Sequence, residues 1–291
     1  MRPMTAWKAL WTGRSRLLAV PTALALVASL AIAQSRAIET TDFRATYAIT
    51  LGGAVIGRAS ASSKFVGSSY DASIQGATSG VSRMVTDATA ALSGSGRLAG
   101  QRVLPSSFEL ETEENGFGTH VRMAMNSGRV TEVTAVPSLS KAPDRIPVTQ
   151  SHKTGVVDPL SAFLVPMDRP EAPLGRAACD RRIKVFDGWT RFDVQLSFKA
   201  MKAVDGGRNT YAGQVVVCGA RLFPIAGHRS GGESIADMID SDKVEIWLVP
   251  VERTGVLVPY RIILGTRWGD LVVFATRFTA TASAQHAAAG D

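Results

Sequence analysis

The sequence predicts an all-β, mainly antiparallel fold: one large curled sheet, or a half-open β-barrel or β-spiral, with one short helix. Three observations carry this expectation. Apolar and polar residues alternate at period two through much of the chain after its first 40 residues. Gly-Gly, Asn-Ser-Gly and Asp-Gly signals punctuate those runs at short intervals, which suits hairpins. No helix-length apolar stripe follows the N-terminal segment, and no repeat of solenoid or propeller length is visible.

Taken in order, Phe43, Ala45, Tyr47, Ile49 and Leu51 alternate with Arg44, Thr46, Ala48 and Thr50, a half-buried strand. Gly52-Gly53 turns it into a return strand over residues 55–60, and residues 70–77 form a third. Phe108, Leu110 and Thr112 alternate with Glu109, Glu111 and Glu113, one face apolar and one acidic. Val121, Met123 and Met125 continue the pattern, and Asn126-Ser127-Gly128 turns it into residues 130–136. Residues 137–157 are polar and Pro-bearing, a connection between two halves of the sheet or a loop across one end. Asp158-Pro159 is an N-cap followed by Pro at the first helical position, opening a short helix over residues 160–164 that stops before Pro166.

The second half repeats this logic. Ile183 and Val185 lead to the hairpin signal Asp187-Gly188, and Phe192, Val194, Leu196 and Phe198 alternate with polar neighbours. Asp205-Gly206-Gly207 precedes a strand over residues 211–218, and further strands follow over 244–249, 256–264 and 271–278, with Trp268-Gly269-Asp270 as the last turn. About ten to twelve short strands result, and a sheet that large must curl, close or split to bury its apolar face.

The domain plan is a signal peptide over residues 1–33, one β-rich domain over 34–280 and a disordered, Ala-rich tail over 281–291. Arg2, Lys8, Arg14 and Arg16 precede an apolar run over residues 17–33, which closes on Ala31-Ile32-Ala33. That order is an export signal cleaved after Ala33. The alternative is a retained anchor, but 17 residues are short for a span of about 20. In a Gram-negative cell the address is the periplasm, and no transmembrane span remains after cleavage.

With 45% hydrophobic and 20% charged residues, the 291-residue chain is no disordered, collagen-like, coiled-coil or multi-span protein. Its net charge of +7 owes much to the signal, since residues 34–291 carry 28 basic and 25 acidic residues. No basic run interleaved with aromatics marks a nucleic-acid surface. Cys179 and Cys218 both lie in the exported part, so an oxidising compartment makes their disulfide the expectation, with two buried thiols as the alternative.

Motifs for chemistry are weak. Ser138-Leu139-Ser140-Lys141 and Lys153-Thr154-Gly155 match S-x-x-K and K-T-G of penicillin-recognising enzymes, but they lie too close together, with Pro143 and Pro147 between them. His228 and Ser230 sit in a Gly-rich turn with no Asp to orient the imidazole. His120, His152, His228 and His286 are scattered, and Glu233, Asp237, Asp240 and Asp242 lack calcium-loop spacing. No catalytic, metal or cofactor site is expected.

Several phrases in order carry a family resemblance. They are Tyr47-Ala48-Ile49-Thr50-Leu51-Gly52-Gly53-Ala54-Val55-Ile56-Gly57, then Asp158-Pro159-Leu160-Ser161-Ala162, then Val185-Phe186-Asp187-Gly188 with Arg191-Phe192, then Cys218 and Phe223-Pro224-Ile225-Ala226-Gly227, taken as a turn. Behind an export signal, the set resembles the exported bacterial family called domain of unknown function 3108, over about residues 43–278. The resemblance implies a periplasmic β protein whose sheet wraps a central element, broadly like lipoprotein carriers, and supplies no catalytic residues. The β-spiral envelope-integrity proteins share the signal, length and cysteine count. They pair an early Cys with a very late one, whereas both cysteines here fall in the second half.

The functional expectation is a non-catalytic periplasmic protein supporting the cell envelope. It binds a lipid, a lipoprotein acyl chain or a partner protein on the curled sheet, with Met123, Met125, Phe192, Val194, Phe274 and Phe278 as the apolar ligand face. The alternatives are a cell-wall or surface-polymer hydrolase using Asp187 and Asp193, and a structural scaffold of an envelope complex.

Overall fold

Two meanders meet in the middle of one antiparallel sheet. In this computed structural model, the described residues are 38–80, 83, 86–139, 142–169, 172–207, 209–230 and 239–285. Residues 1–33, Ser140, Lys141, Glu233, Asp237 and His286 lie outside them, as do the side chains of Asp240 and Asp242. The strands of the first half are β1 (Ile38–Leu51), β2 (Ala54–Val66), β3 (Ser69–Thr78), β4 (Ala88–Ala99), β5 (Arg102–Glu114), β6 (Phe117–Asn126) and β7 (Arg129–Val136). After β8 (Val165–Pro166) come β9 (Arg181–Phe186), β10 (Arg191–Val204), β11 (Gly213–Ala226), β12 (Ile239–Val251), β13 (Val256–Thr266) and β14 (Gly269–Gln285). The sheet order is β7-β6-β5-β4-β3-β2-β1-β14-β13-β12-β11-β10-β9, with β8 paired to β13. The first meander runs outward from β1, and the second returns from the far edge until β14 pairs with β1 from Ile38↔Gln285 to Leu51↔Leu271.

This order leaves β7 and β9 as edges, and unpaired strand edges are templates for aggregation. The segment between them ties both down. Thr154 bridges Arg129 on β7, and Val157 bridges Val185 on β9. The Val156 N–H donates to the Gly128 carbonyl at 3.0 Å, the Val157 N–H to the Lys184 carbonyl at 2.8 Å, and the Phe186 N–H to the Val157 carbonyl at 3.0 Å. The expected connection between two sheet halves is therefore also a clasp across the seam. It includes the Thr154-Gly155 of the K-T-G match, whose role here is backbone pairing.

Period-two alternation becomes two unlike faces once register is added. Ala45, Ala61, Ile74, Leu92, Leu110, Val121 and Ala135 are successive cross-strand partners from β1 to β7, and all belong to or pack on the main core. One residue along, Thr46, Ser60, Gln75, Ala91, Glu111, His120 and Val136 form the next row, which points the other way because side chains alternate along a strand. The main core also takes Tyr70, Phe108, Met123, Phe186, Val215 and Val217, with Leu160 and Leu164 from the connection inserted among them.

On the second half both faces are buried. Val215 and Val217 of β11 enter the main core, while Val216, Cys218 and Ala220 enter a second cluster with Leu196, Leu248 and Leu257. Val165 and Cys179 cover that cluster from outside, and Cys179 is bonded to Cys218 as expected. The segment is further held by Arg176, whose guanidinium lies 4.7 Å from the Phe198 ring centre. Among the described residues, the outer face of β1–β6 has no such second cluster. That asymmetry leaves a face free for function.

Four differences from the sequence expectation have physical causes. Strand β4, Ala-Thr-Ala-Ala-Leu-Ser-Gly-Ser-Gly-Arg-Leu-Ala, has little β-propensity and gives no periodic signal. It forms because β3 and β5 pair along its length, and its glycines admit close neighbours: a Cβ on Gly96 would lie 2.6 Å from both the Leu104 carbonyl and the Tyr70 hydroxyl. Residues 223–226 are not a turn but the end of β11, which turns only at Gly227. Pro224 lies opposite Phe192 at a bulge in the β10–β11 pairing and beyond the Val216–Gly219 stretch that pairs with β12, the kind of position where a missing N–H is tolerated. The expected helix shrinks to one 3-10 turn, Ser161–Phe163, because five residues before Pro166 are too few to propagate a helix. Finally, β14 continues to Gln285, five residues into the expected tail, because β1 offers partners that far.

Candidate functional site

A broad concavity of about 1010 Å³ lies over the outer face of β1–β6. Two outward rows build it. The first supplies Thr46, Ser60, Gln75, Ala91, Glu111 and His120, and the second supplies Arg58, Ala77, Thr89 and Glu113. Small side chains on the middle strands make the floor, and long polar ones stand at its ends. Hydroxyl, amide, carboxylate and imidazole groups line it together with Ala59, Ala77, Ala90, Ala91 and Val136, and apolar surface outweighs polar. A ligand that hydrogen-bonds along its length can therefore also rest on methyl groups.

One wall is charged. Glu109 accepts hydrogen bonds from Arg122 at 2.6 Å and shares one with His120 Nε2 at 3.1 Å. These bonds, Arg122 first, hold its carboxyl below the usual range. Ligand atoms of Glu109, Glu111 and His120 lie within 4.8 Å of one another, and among the described residues this is the group able to hold a metal ion. Arg122 already occupies the Glu109 carboxylate, so a cation would have to displace a guanidinium.

The six residues expected to form one apolar ligand face do not share a face. Met123, Met125 and Phe278 are packed in the main core, and the Phe278 ring stacks with Phe43, Tyr211 and Tyr260. Val194 packs on the second cluster, on the opposite side of the sheet. Phe192 is half-buried, and half-buried Phe274 lines a separate cavity beside Trp247 and Tyr260. Alternation alone cannot distinguish a packed interior from a lumen, and here side chains fill the interior.

The carboxylate pair considered for hydrolysis is engaged in structure. Asp187 accepts from the Trp189 and Thr190 N–H groups at 2.8 and 2.6 Å and from the Thr190 hydroxyl at 2.6 Å, closing the β9–β10 turn. Asp193 is buried between Arg191, at 2.5 Å, and Arg182. The Gly-rich turn of His228 and Ser230 is tied to the connection: the Ile146 N–H donates to the His228 carbonyl at 3.0 Å, and the Ser230 N–H to the Asp144 carbonyl at 2.8 Å.

A buried polar chain lies beneath the clasp. Asp158, at 0% exposure, accepts from the Ser161 N–H at 2.9 Å and from its hydroxyl at 2.5 Å. Ser161 Oγ is also 2.7 Å from the Tyr70 hydroxyl. Asp158 thus bonds the Ser161 N–H as a cap would, but it lies two residues before the turn's N-cap, Leu160, and its carboxyl is wholly buried. The Asp158-Pro159 pair signals a cap, and nothing in the sequence points to the Ser161 and Tyr70 hydroxyls as its partners. Burial pushes the Asp158 carboxyl up, opposed by its Ser161 bonds. An acid whose folded value is raised keeps its proton longer when folded, so its ionisation costs stability as pH rises through that value. The Asp158→Asn variant is therefore expected to gain stability relative to the natural protein as pH rises above the ordinary carboxylate range. Denaturant midpoints of both proteins from that range upward measure it, and parallel curves would contradict the buried carboxyl.

A family model described as protein of unknown function (DUF3108) matches residues 43–276. No curated protein matches the chain. Among solved structures, a β-barrel-like protein of domain of unknown function DUF1849 from Brucella abortus is similar over 83% of this chain and 98% of its own, at 12% identity and a TM-score of 0.49. No helix among the described residues is long and apolar enough to cross a membrane.

Proposed function

The chain belongs to the DUF3108 family of proteins of unknown function, and we propose that it is a non-catalytic, exported protein of the cell envelope that holds an extended polar ligand in the groove over β1–β6. The observation that carries this reading is a concavity of about 1010 Å³ on the outer face, lined by Thr46, Ser60, Gln75, Glu111 and His120, while side chains fill the interior. Export is supported by the basic start, the apolar run and the Ala31-Ile32-Ala33 site, and the periplasm is the matching compartment. The Cys179–Cys218 bond agrees with an oxidising environment. An acyl ligand is less well supported, because Met123, Met125 and Phe278 are already packed against protein.

The groove floor offers the test. Ala91 points outward from β4 and is half-buried, so Ala91→Trp fills the groove without entering the core. The natural protein is expected to co-sediment with insoluble cell-wall polymer, and Ala91→Trp is expected to lose at least about tenfold in affinity with its melting temperature unchanged. Equal binding by the variant, or sedimentation only with lipid vesicles, would contradict the reading.

A further inference from the structure

A second, smaller cavity of about 340 Å³ lies at the other end of the first half, against the clasp. It is lined by the β4–β5 turn and the start of β5 (Gln101 to Leu104), by Gly155 and Val156, by the Ser161 turn, and by the first strand of the second half (Arg181 to Lys184). Among the described residues that line it, four are cations, Arg102, Arg181, Arg182 and Lys184, and none is a carboxylate. Two nearby acids act on its rim. Asp193 pairs with Arg182, and Asp168 accepts a hydrogen bond from Gln101.

Arg181 is the informative member. Its Nε is buried and has no hydrogen-bond partner among the described residues, and its Nη2 reaches only the Ala177 carbonyl, at 3.4 Å. Burial pushes its guanidinium pKa down, with Asp168 opposing. A buried donor left unmatched costs free energy that a fitting acceptor would recover. Guanidinium forks match the oxygens of phosphate, and four cations against the two rim acids Asp168 and Asp193 set the sign of the ligand.

We propose that this seam cavity binds a phosphate group, with Arg181 as the central donor and Arg102 and Lys184 at the mouth. The group spans the β5 and β9 ends of the sheet and so braces the clasp from outside. The site is separate from the groove and does not depend on the function proposed for it. The volume exceeds that of a bare anion, which leaves room for a glycerophosphate-sized headgroup.

Calorimetry on the purified, disulfide-bonded protein tests the proposal with three probes: inorganic phosphate, glycerol 3-phosphate, and phosphatidylglycerol vesicles set against phosphatidylcholine vesicles. Saturable binding of at least one phosphate probe is expected, weakened at least about tenfold in Arg181→Gln and Lys184→Gln. The matched charge removal Arg44→Gln, on an exposed β1 position, is expected to leave it unchanged. Binding of the soluble anions identifies a free-phosphate site, and binding of phosphatidylglycerol vesicles alone identifies a headgroup site. Binding that Arg44→Gln weakens as much as Arg181→Gln would overturn the proposal as mere surface charge. No saturable binding of any probe would overturn it outright.

Discussion

Replacing Cys179 or Cys218 with Ser is expected to cost roughly 2–5 kcal/mol of stability, among the largest single effects available in this chain. The bond closes a loop of 39 residues, for which the chain-entropy model gives about 4 kcal/mol. Its partners add to this. Both sulfurs are wholly buried, and Cys179 is the point at which the outer segment meets β11. Loss of the bond frees that segment to expose Val216, Leu248 and Leu257. Denaturant melts of the oxidised, reduced and Cys218→Ser proteins measure the effect. The reduced and Ser forms are expected to agree, and an undiminished midpoint in either would mean that the outer segment holds without its covalent tie.

Val156→Asp is expected to be as damaging, through a different link. Val156 is 1% exposed and sits in the clasp between the two sheet edges. It packs in the main core and also borders the cationic seam cavity. A carboxylate there either stays buried or is drawn out of the core towards those cations, and both lose the Val156 packing and strain the clasp, a penalty of several kcal/mol. Val156→Ala keeps the backbone bonds and loses only packing, about 2 kcal/mol. Hydrogen exchange separates the two. Asp is expected to release the amides of β7 and β9 together, whereas Ala leaves their pairing intact. Equal protection in both variants would mean that residues 154–157 do not hold the seam.

Most of the strand architecture was readable from period two and turn chemistry, because hairpins are local. Gly52-Gly53, Ser127-Gly128 and Asp187-Gly188 each sit in the turn they predicted. The Cys179–Cys218 pairing and the connection over residues 137–157 were readable too. What failed was non-local. Strand β4 is made by its neighbours, and its small residues carry no pattern of their own. The apolar ligand face failed because alternation reports which residues turn inward and not whether inward is empty. Met123 and Met125 are inward, but Leu160 and Leu164 arrive there from a loop. The groove was missed for the opposite reason. In the sequence the Glu109, Glu111, Glu113 row is only the acidic face of one strand, and register alone adds Thr46, Ser60, Gln75 and His120 to it. The phosphate cavity joins residues 101–104 to 181–184, a separation that no motif spans.

The most direct test of ligand binding on the polar outer face is a methyl NMR titration. The protein is labelled at Met, Ala and Thr methyls and titrated with the aqueous and the organic-soluble fractions of the cell envelope. Binding in the groove is expected to shift Ala77, Ala91 and Thr89 with the aqueous fraction while Met123 and Met125 stay fixed. Shifts at Met123 and Met125 with the organic fraction, and none in the groove, would contradict it and return the ligand to the interior of the sheet.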